Sequence, residues 1–256
     1  MRFCVCALVF CAAACIASAE NPFAGKWKLD TSKSQLTGQT FTIENVSGGM
    51  YRYSAFGQSY TFAPDGKEYP GIFGRTIVVK QIDPNTWERT ATFKGRVLAQ
   101  VTMKLSPDGK KMTETIKGTK PNGDPIDEVD TCERTGEGSG MVGTWKIRQV
   151  KDNTPDLLEF AENGPDGLAF KLPDYKATWS GTLDGKDCPA TGPTVPEGLT
   201  LALKKTGDRS IDMVEKIKGK PVFKATYVVS EDGKTLTSKG SSVAVNEPTT
   251  EVYVRE

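Results

Sequence analysis

Histidine is absent from all 256 residues. That excludes Ser-His-Asp and Cys-His nucleophile systems, His-ligated haem and the common zinc sites, each of which needs an imidazole. There is no Gly-x-Ser-x-Gly, no Gly-x-x-x-x-Gly-Lys phosphate loop, and no Gly-x-Gly-x-x-Gly after a strand. Gly136-Glu137-Gly138-Ser139-Gly140 is glycine-rich, but no helix follows to focus charge on a phosphate, so it reads as a linker. Long apolar runs are missing too. The one at Phe3–Ile16 falls short of the ~20 residues that cross a bilayer, and nothing later is longer.

That run sits between Met1-Arg2 and Ala17-Ser18-Ala19, the layout of a secretory signal peptide cleaved after Ala19. Residues 1–19 are therefore expected to be removed and the protein to be secreted or periplasmic. Arg2 leaves with them, so 33 basic residues become 32 and match the 32 acidic ones. A neutral chain without a Lys/Arg block has no electrostatic footprint for nucleic acid or an anionic membrane.

What is present is said twice. Gly25-Lys26-Trp27-Lys28-Leu29 returns as Gly143-Thr144-Trp145-Lys146-Ile147, and Asp65-Gly66-Lys67 returns as Asp184-Gly185-Lys186. Lys94-Gly95 returns as Lys218-Gly219, and Ser106-Pro107-Asp108-Gly109-Lys110 as Ser230-Glu231-Asp232-Gly233-Lys234. From Asn85 to Gly118 the copies align without a gap. Two long copies mean a domain duplication, since solenoids repeat shorter units more often. The expected domains are 20–136 and 143–256, joined by the glycine-rich stretch 137–142.

The dominant period is two. Val97, Ala99, Val101, Met103 and Leu105 alternate with polar residues, and Phe223, Ala225, Tyr227 and Val229 keep that parity in the second copy. This is the pattern of a half-buried antiparallel strand. Similar runs rich in Thr, Val, Ile and aromatics lie at 40–46, 50–55, 76–82, 86–93, 111–117 and 126–134. Asp-Gly pairs at 65–66, 108–109, 184–185 and 232–233 supply the positive φ of tight hairpins. About seven or eight strands per copy suit an all-β protein of two tandem antiparallel up-and-down β-barrels, since closure removes unpaired edges; a sandwich is the competing arrangement. A short helix is expected only at 156–162.

Two cysteines outlast the leader, Cys132 in the first copy and Cys188 in the second, and neither has a cysteine counterpart. In an oxidising compartment such a pair favours a disulfide between the copies, contributing about 2–4 kcal/mol. Two separately buried thiols are the alternative.

Each copy resembles a lipocalin-like domain of the calycin superfamily, and the whole chain is similar to secreted bacterial proteins of that kind. The resemblance rests on Gly25-Lys26-Trp27 and Gly143-Thr144-Trp145, with Arg134 and Arg255 on the expected last strands. It implies that Gly-x-Trp opens the first strand and that the arginine packs on the tryptophan face at the closed end of the barrel. Trp27, Arg134, Trp145 and Arg255 are structural on this reading, through cation–π contact of about 0.5–2 kcal/mol.

The inward-facing residues of a barrel of this size either fill it or line a cavity for one small ligand. The candidates are Tyr53, Phe56, Tyr60, Phe62, Trp87, Phe93 and Met103 in the first copy, and Trp179, Met213, Phe223 and Tyr227 in the second. Tyr51 adds to the first copy's larger aromatic supply, so a cavity is expected there first. Asp124, Asp127, Glu128 and Asp130 form the densest acidic group. Oxygen ligands suffice for calcium, but the spacing matches no EF-hand and a solvated strand end is expected. On a strand, Glu128 and Asp130 would share one face. The leading expectation is a non-enzymatic protein that binds a small apolar ligand, with no metal or cofactor. The alternatives are an interaction or inhibitor module working through loops such as 71–74 or 189–198, or a cofactor-free enzyme built on carboxylates.

Overall fold

The structure, a computed structural model, describes residues 21–245 and 247–256. The expected signal peptide and its four cysteines lie outside the described residues. The first copy contributes β1 (Gly25–Leu29), β2 (Thr40–Asn45), β3 (Tyr51–Ala55), β4 (Gln58–Phe62) and β5 (Asp65–Pro70). It continues with β6 (Thr76–Asp83), β7 (Thr86–Phe93), β8 (Arg96–Leu105), β9 (Lys111–Thr119) and β10 (Pro125–Thr135). The second copy contributes β11 (Gly143–Asp152), β12 (Leu157–Glu162), β13 (Gly167–Leu172), β14 (Ala177–Thr182) and β15 (Asp184–Thr191). The last five are β16 (Leu199–Gly207), β17 (Ser210–Ile217), β18 (Lys220–Val229), β19 (Thr235–Ser242) and β20 (Thr249–Arg255).

The protein is all-β, with two antiparallel barrel-like sheets of ten strands each. Ten exceeds the seven or eight expected per copy. The excess arises around β4, β5 and their counterparts, where polar residues hide the alternation. Asp65-Gly66 and Asp184-Gly185 are not hairpin turns. They sit at register shifts where β5 and β15 begin, with Gly66 at φ 80° and Gly185 at φ 85°. The Asp-Gly pairs at 108–109 and 232–233 do turn hairpins, β8 to β9 and β18 to β19.

The expected helix at 156–162 is strand β12. Leu158 and Phe160 alternate into the core, and the segment pairs with β1 and β13, so sheet pairing overrides the local helical preference.

The barrels exchange their first strands. β1 lies between β12 and β20, closing the sheet built from the second copy. β11 lies between β10 and β2, in the sheet built from the first. Residues 136–142 therefore connect two neighbouring strands of one barrel. The chain passes between barrels instead at 30–39 and 153–156.

Each Gly-x-Trp entry is locked in the same way. Trp27 and Trp145 are fully buried, and their indole N–H groups donate to Phe23 O at 2.9 Å and Met141 O at 3.0 Å. Arg255 lies 4.0 Å over the Trp27 ring and Arg134 4.2 Å over that of Trp145. Both guanidinium groups also donate to the glycine carbonyl of an Asp-Gly turn, Gly233 O at 2.7 Å and Gly109 O at 3.0 Å. Their remaining N–H groups reach the segment before the tryptophan, Pro22 O and Ala24 O for Arg255, Gly140 O and Val142 O for Arg134. This explains the glycine of the motif. Gly25 and Gly143 have φ of 132° and 149°, and a Cβ on either would collide with Nη1 of its arginine.

No disulfide joins the copies. Cys132 is buried in the core of the first barrel and Cys188 packs against the core of the second, so each thiol is committed to a different interior. Burial raises the Cys132 pKa well above the thiol range, keeping it protonated and unreactive.

Two tests follow from the exchange and the lock. In a chain beginning at Asp30, hydrogen exchange should expose β12 and β20 while β2 and β10 stay protected by β11; the opposite pattern would place β1 in the first barrel. Gly143→Ala should cost about 1–3 kcal/mol in urea unfolding through backbone strain and displacement of Arg134, whereas Thr144→Ala should cost little.

Candidate functional site

The Trp–Arg locks lie at the end of each barrel that the lipocalin resemblance implies is closed. The barrels meet at the other, open ends. Lys120, in the β9–β10 turn, is buried there and binds Asp156 at 2.8 Å, Asp174 at 3.0 Å and Thr154 O at 2.8 Å. Asn122 adds a bond to Asp174, Thr40 donates to Glu247, and Ser242 donates to Phe56 O. Gln35 and Thr250 form a β-bridge across the same junction. A buried lysine with two carboxylate partners and a carbonyl is compensated, and losing one partner would leave an unpaired charge.

In the second barrel, strand parity brings Phe160, Phe170, Trp179, Leu201, Met213 and Tyr227 inward. Trp179 is anchored by its indole N–H to Leu201 O at 2.8 Å, and the Tyr227 hydroxyl approaches Met213 Sδ at 4.0 Å. The packing is incomplete near the open end. A cavity of about 170 Å³ remains, lined chiefly by Phe170, Leu172, Trp179, Leu199, Leu201 and the carboxyl-bearing Glu215. A broader cleft of about 940 Å³ lies at the closed end, where Glu162, Asp166, Asp184, Lys205 and Arg209 give it a polar rim.

The first barrel has a different interior. Phe41, Tyr51, Tyr53, Tyr60, Phe62 and Trp87 form a continuous aromatic cluster, with Tyr51 edge-on to Trp87 at 4.9 Å and Tyr53 stacked on Tyr60 at 5.3 Å. Arg89 lies 5.1 Å over Tyr53. It is half-buried; burial works against its charge, but Tyr53, Tyr60 and Glu114 hold its pKa above the usual value. Burial pushes the Tyr53 hydroxyl up to about 12.

Glu114 and Asp130 are register partners on β9 and β10, each only 5% exposed, and each has one carboxyl oxygen without a hydrogen-bond partner. Glu128 shares the Asp130 face, as its i,i+2 spacing implies. Burial raises the pKa of Glu114 and Glu128, and burial with the adjacent Glu128 carboxylate pushes Asp130 up to about 8. The Glu128–Asp130 part of the acidic group expected as a solvated strand end is thus partly interior. Asp127 points outward to Lys117, and Asp124 bonds Asn122 in the exposed turn. Among the described residues no group of metal-binding side chains forms.

The structure brings most predicted residues into the interiors: Tyr53, Tyr60, Phe62, Trp87 and Met103 in the first, Trp179, Met213, Phe223 and Tyr227 in the second. Phe93 is buried beside Gly74, outside the core cluster of the first barrel. Phe56 is not inside. It occupies the β3–β4 turn at φ 52° and is 49% exposed. The apolar cavity beside Trp179 belongs to the second barrel; in the aromatic-rich first the larger rings pack on one another. Arg89, Glu114 and Glu215 are not among the candidates read from the sequence, which are aromatic residues and methionines. Parity could have found them: Arg89 follows Trp87 by two, Glu114 follows Met112, and Glu215 follows Met213. Comparison with family models, curated proteins and solved structures gives no match.

The three interior carboxyls make stability pH-dependent. A carboxyl whose folded pKa is raised binds its proton more tightly in the native state, so its contribution is intact below the unfolded value of about 4 and is lost as pH climbs toward 8. The melting temperature should fall between pH 5 and pH 9, and Asp130→Asn should flatten that fall by several degrees at pH 9, at about 2–4 °C per kcal/mol. A melting temperature that rises over this range would contradict the assignment.

Proposed function

We propose that the protein is an exported, lipocalin-like carrier that binds a small, largely apolar molecule in the second barrel. The cavity beneath the open end carries this reading. Its walls are Phe170, Leu172, Trp179, Leu199 and Leu201, and its volume of about 170 Å³ is close to the ~150 Å³ of an apolar cavity able to hold one aromatic ring. Largely apolar walls with a few polar groups, here Glu215 and the hydroxyls of Tyr175, Thr178 and Thr194, are the usual make-up of a small-molecule site. The arginine–tryptophan locks at both closed ends support the lipocalin-like assignment. The leader-like residues 1–19 support release to the periplasm or the exterior. Binding through apolar burial needs no catalytic group, in keeping with a chain that lacks histidine.

Trp179 reports directly on the cavity. Bromobenzene, whose heavy atom quenches indole emission, should quench saturably and to about a quarter of the total, Trp179 being one of four tryptophans. Ala190→Phe, which fills the cavity wall, should abolish the quenching without lowering the melting temperature by more than a few degrees. Undiminished quenching in that variant would place binding elsewhere.

A further inference from the structure

We propose that the ligand of the second barrel carries a protonated amine, which pairs with Glu215 inside the cavity. The inference rests on the binding role given to that cavity and specifies the chemistry of its occupant.

Glu215 stands on β17 opposite Leu201 and Phe223, two residues after the buried Met213, and its side chain lines the cavity. It is the one ionisable carboxyl among lining residues that are otherwise apolar, hydroxyl-bearing or proline. Among the described residues no hydrogen bond or ion pair reaches it, and its pKa is raised by burial alone, with no neighbouring charge contributing. Glu215 is half-buried among largely apolar walls, where a carboxylate is costly unless a cation or donors meet it.

The duplicated architecture shows what is missing. In the gap-free alignment, Met213 occupies the position of Arg89. In the first barrel that arginine lies over Tyr53, and its charge opposes the effect of burial on the Glu114 carboxyl, so that acid has an internal counter-charge even though no ion pair forms among the described residues. The second barrel keeps interior carboxyls, Glu215 in the cavity and Glu251 on β20, but has no cation at the matching place. Glu251 is already engaged by the Tyr253 hydroxyl at 2.7 Å. Lys120, the buried cation nearest the cavity mouth, is engaged by Asp156 and Asp174. Glu215 alone is left facing open space. A ligand with a one-ring apolar body and an ammonium group satisfies both the walls and the carboxylate.

The test is calorimetric titration of the mature chain with three probes of matched size: benzylamine, toluene and benzoate. Benzylamine should bind at least ten-fold more tightly than toluene, and benzoate should show no binding. Glu215→Gln should remove the preference for benzylamine and leave toluene affinity within about two-fold. Toluene binding as tightly as benzylamine, or a preference that survives Glu215→Gln, would overturn the amine assignment while leaving the apolar cavity intact as a binding site. Failure of all three probes would instead remove the cavity reading, and this inference with it. Should Glu215→Gln not fold, the order of the three probes on the unaltered chain decides the matter by itself.

Discussion

One arginine per barrel holds the molecule in its exchanged form. Arg134 and Arg255 each join three things: the last strand, the Asp-Gly turn between the two strands before it, and the carbonyls that lead into a Gly-x-Trp strand. The guanidinium also covers the indole face, so the tryptophan is sealed from water while its N–H finds a carbonyl four residues back. This socket accepts a first strand of the right chemistry and is indifferent to which copy supplies it. Gly-Lys-Trp and Gly-Thr-Trp meet its requirements equally.

Chain connectivity then decides the occupant. β10 runs into β11 through only seven residues, 136–142, so β11 is the nearest strand available to the Arg134 socket, and closing so short a loop costs little entropy. With that seat filled, β1 takes the remaining one beside β12 and β20. Two chain crossings result, and both lie at the open ends, where the buried Lys120 and its carboxylates fasten the barrels together. The same junction sits over the mouth of the second barrel. Tyr175, which lines that cavity, lies beneath Lys120 at 6.0 Å. Barrel packing and access to the cavity therefore share a set of residues.

Duplication left two interiors with different chemistry. The first is filled by stacked aromatic rings and carries a charged group of Arg89, Glu114, Glu128 and Asp130. The second has smaller side chains, an open pocket and one unanswered carboxyl. A handful of substitutions at inward positions accounts for the divergence: Arg89 against Met213, Ala91 against Glu215, Glu114 against Ser238. Backbone pairing and the tryptophan–arginine locks are common to both barrels despite these differences.

Much of this was legible in the residues. Alternation at 86–93 and 97–105, recurring in register 124 positions later, determined the all-β class, the duplication and the inward faces of the central strands. The paired Gly-x-Trp and terminal arginines marked the closed ends. Three things were not legible. The segment 156–162 carries a helical pattern that only pairing with β1 and β13 overrules. The Asp-Gly pairs that turn a hairpin look the same as those that form a bulge until the partner strand is in place. And nothing local distinguishes the two first strands, so the exchange, the separation of Cys132 from Cys188, and the position of the cavity were decided by tertiary structure alone. Periodicity is a property of neighbours along the chain and survives in one dimension. Which strand fills which socket depends on loop closure and on what already occupies the seat, and these exist only once the chain has folded back on itself.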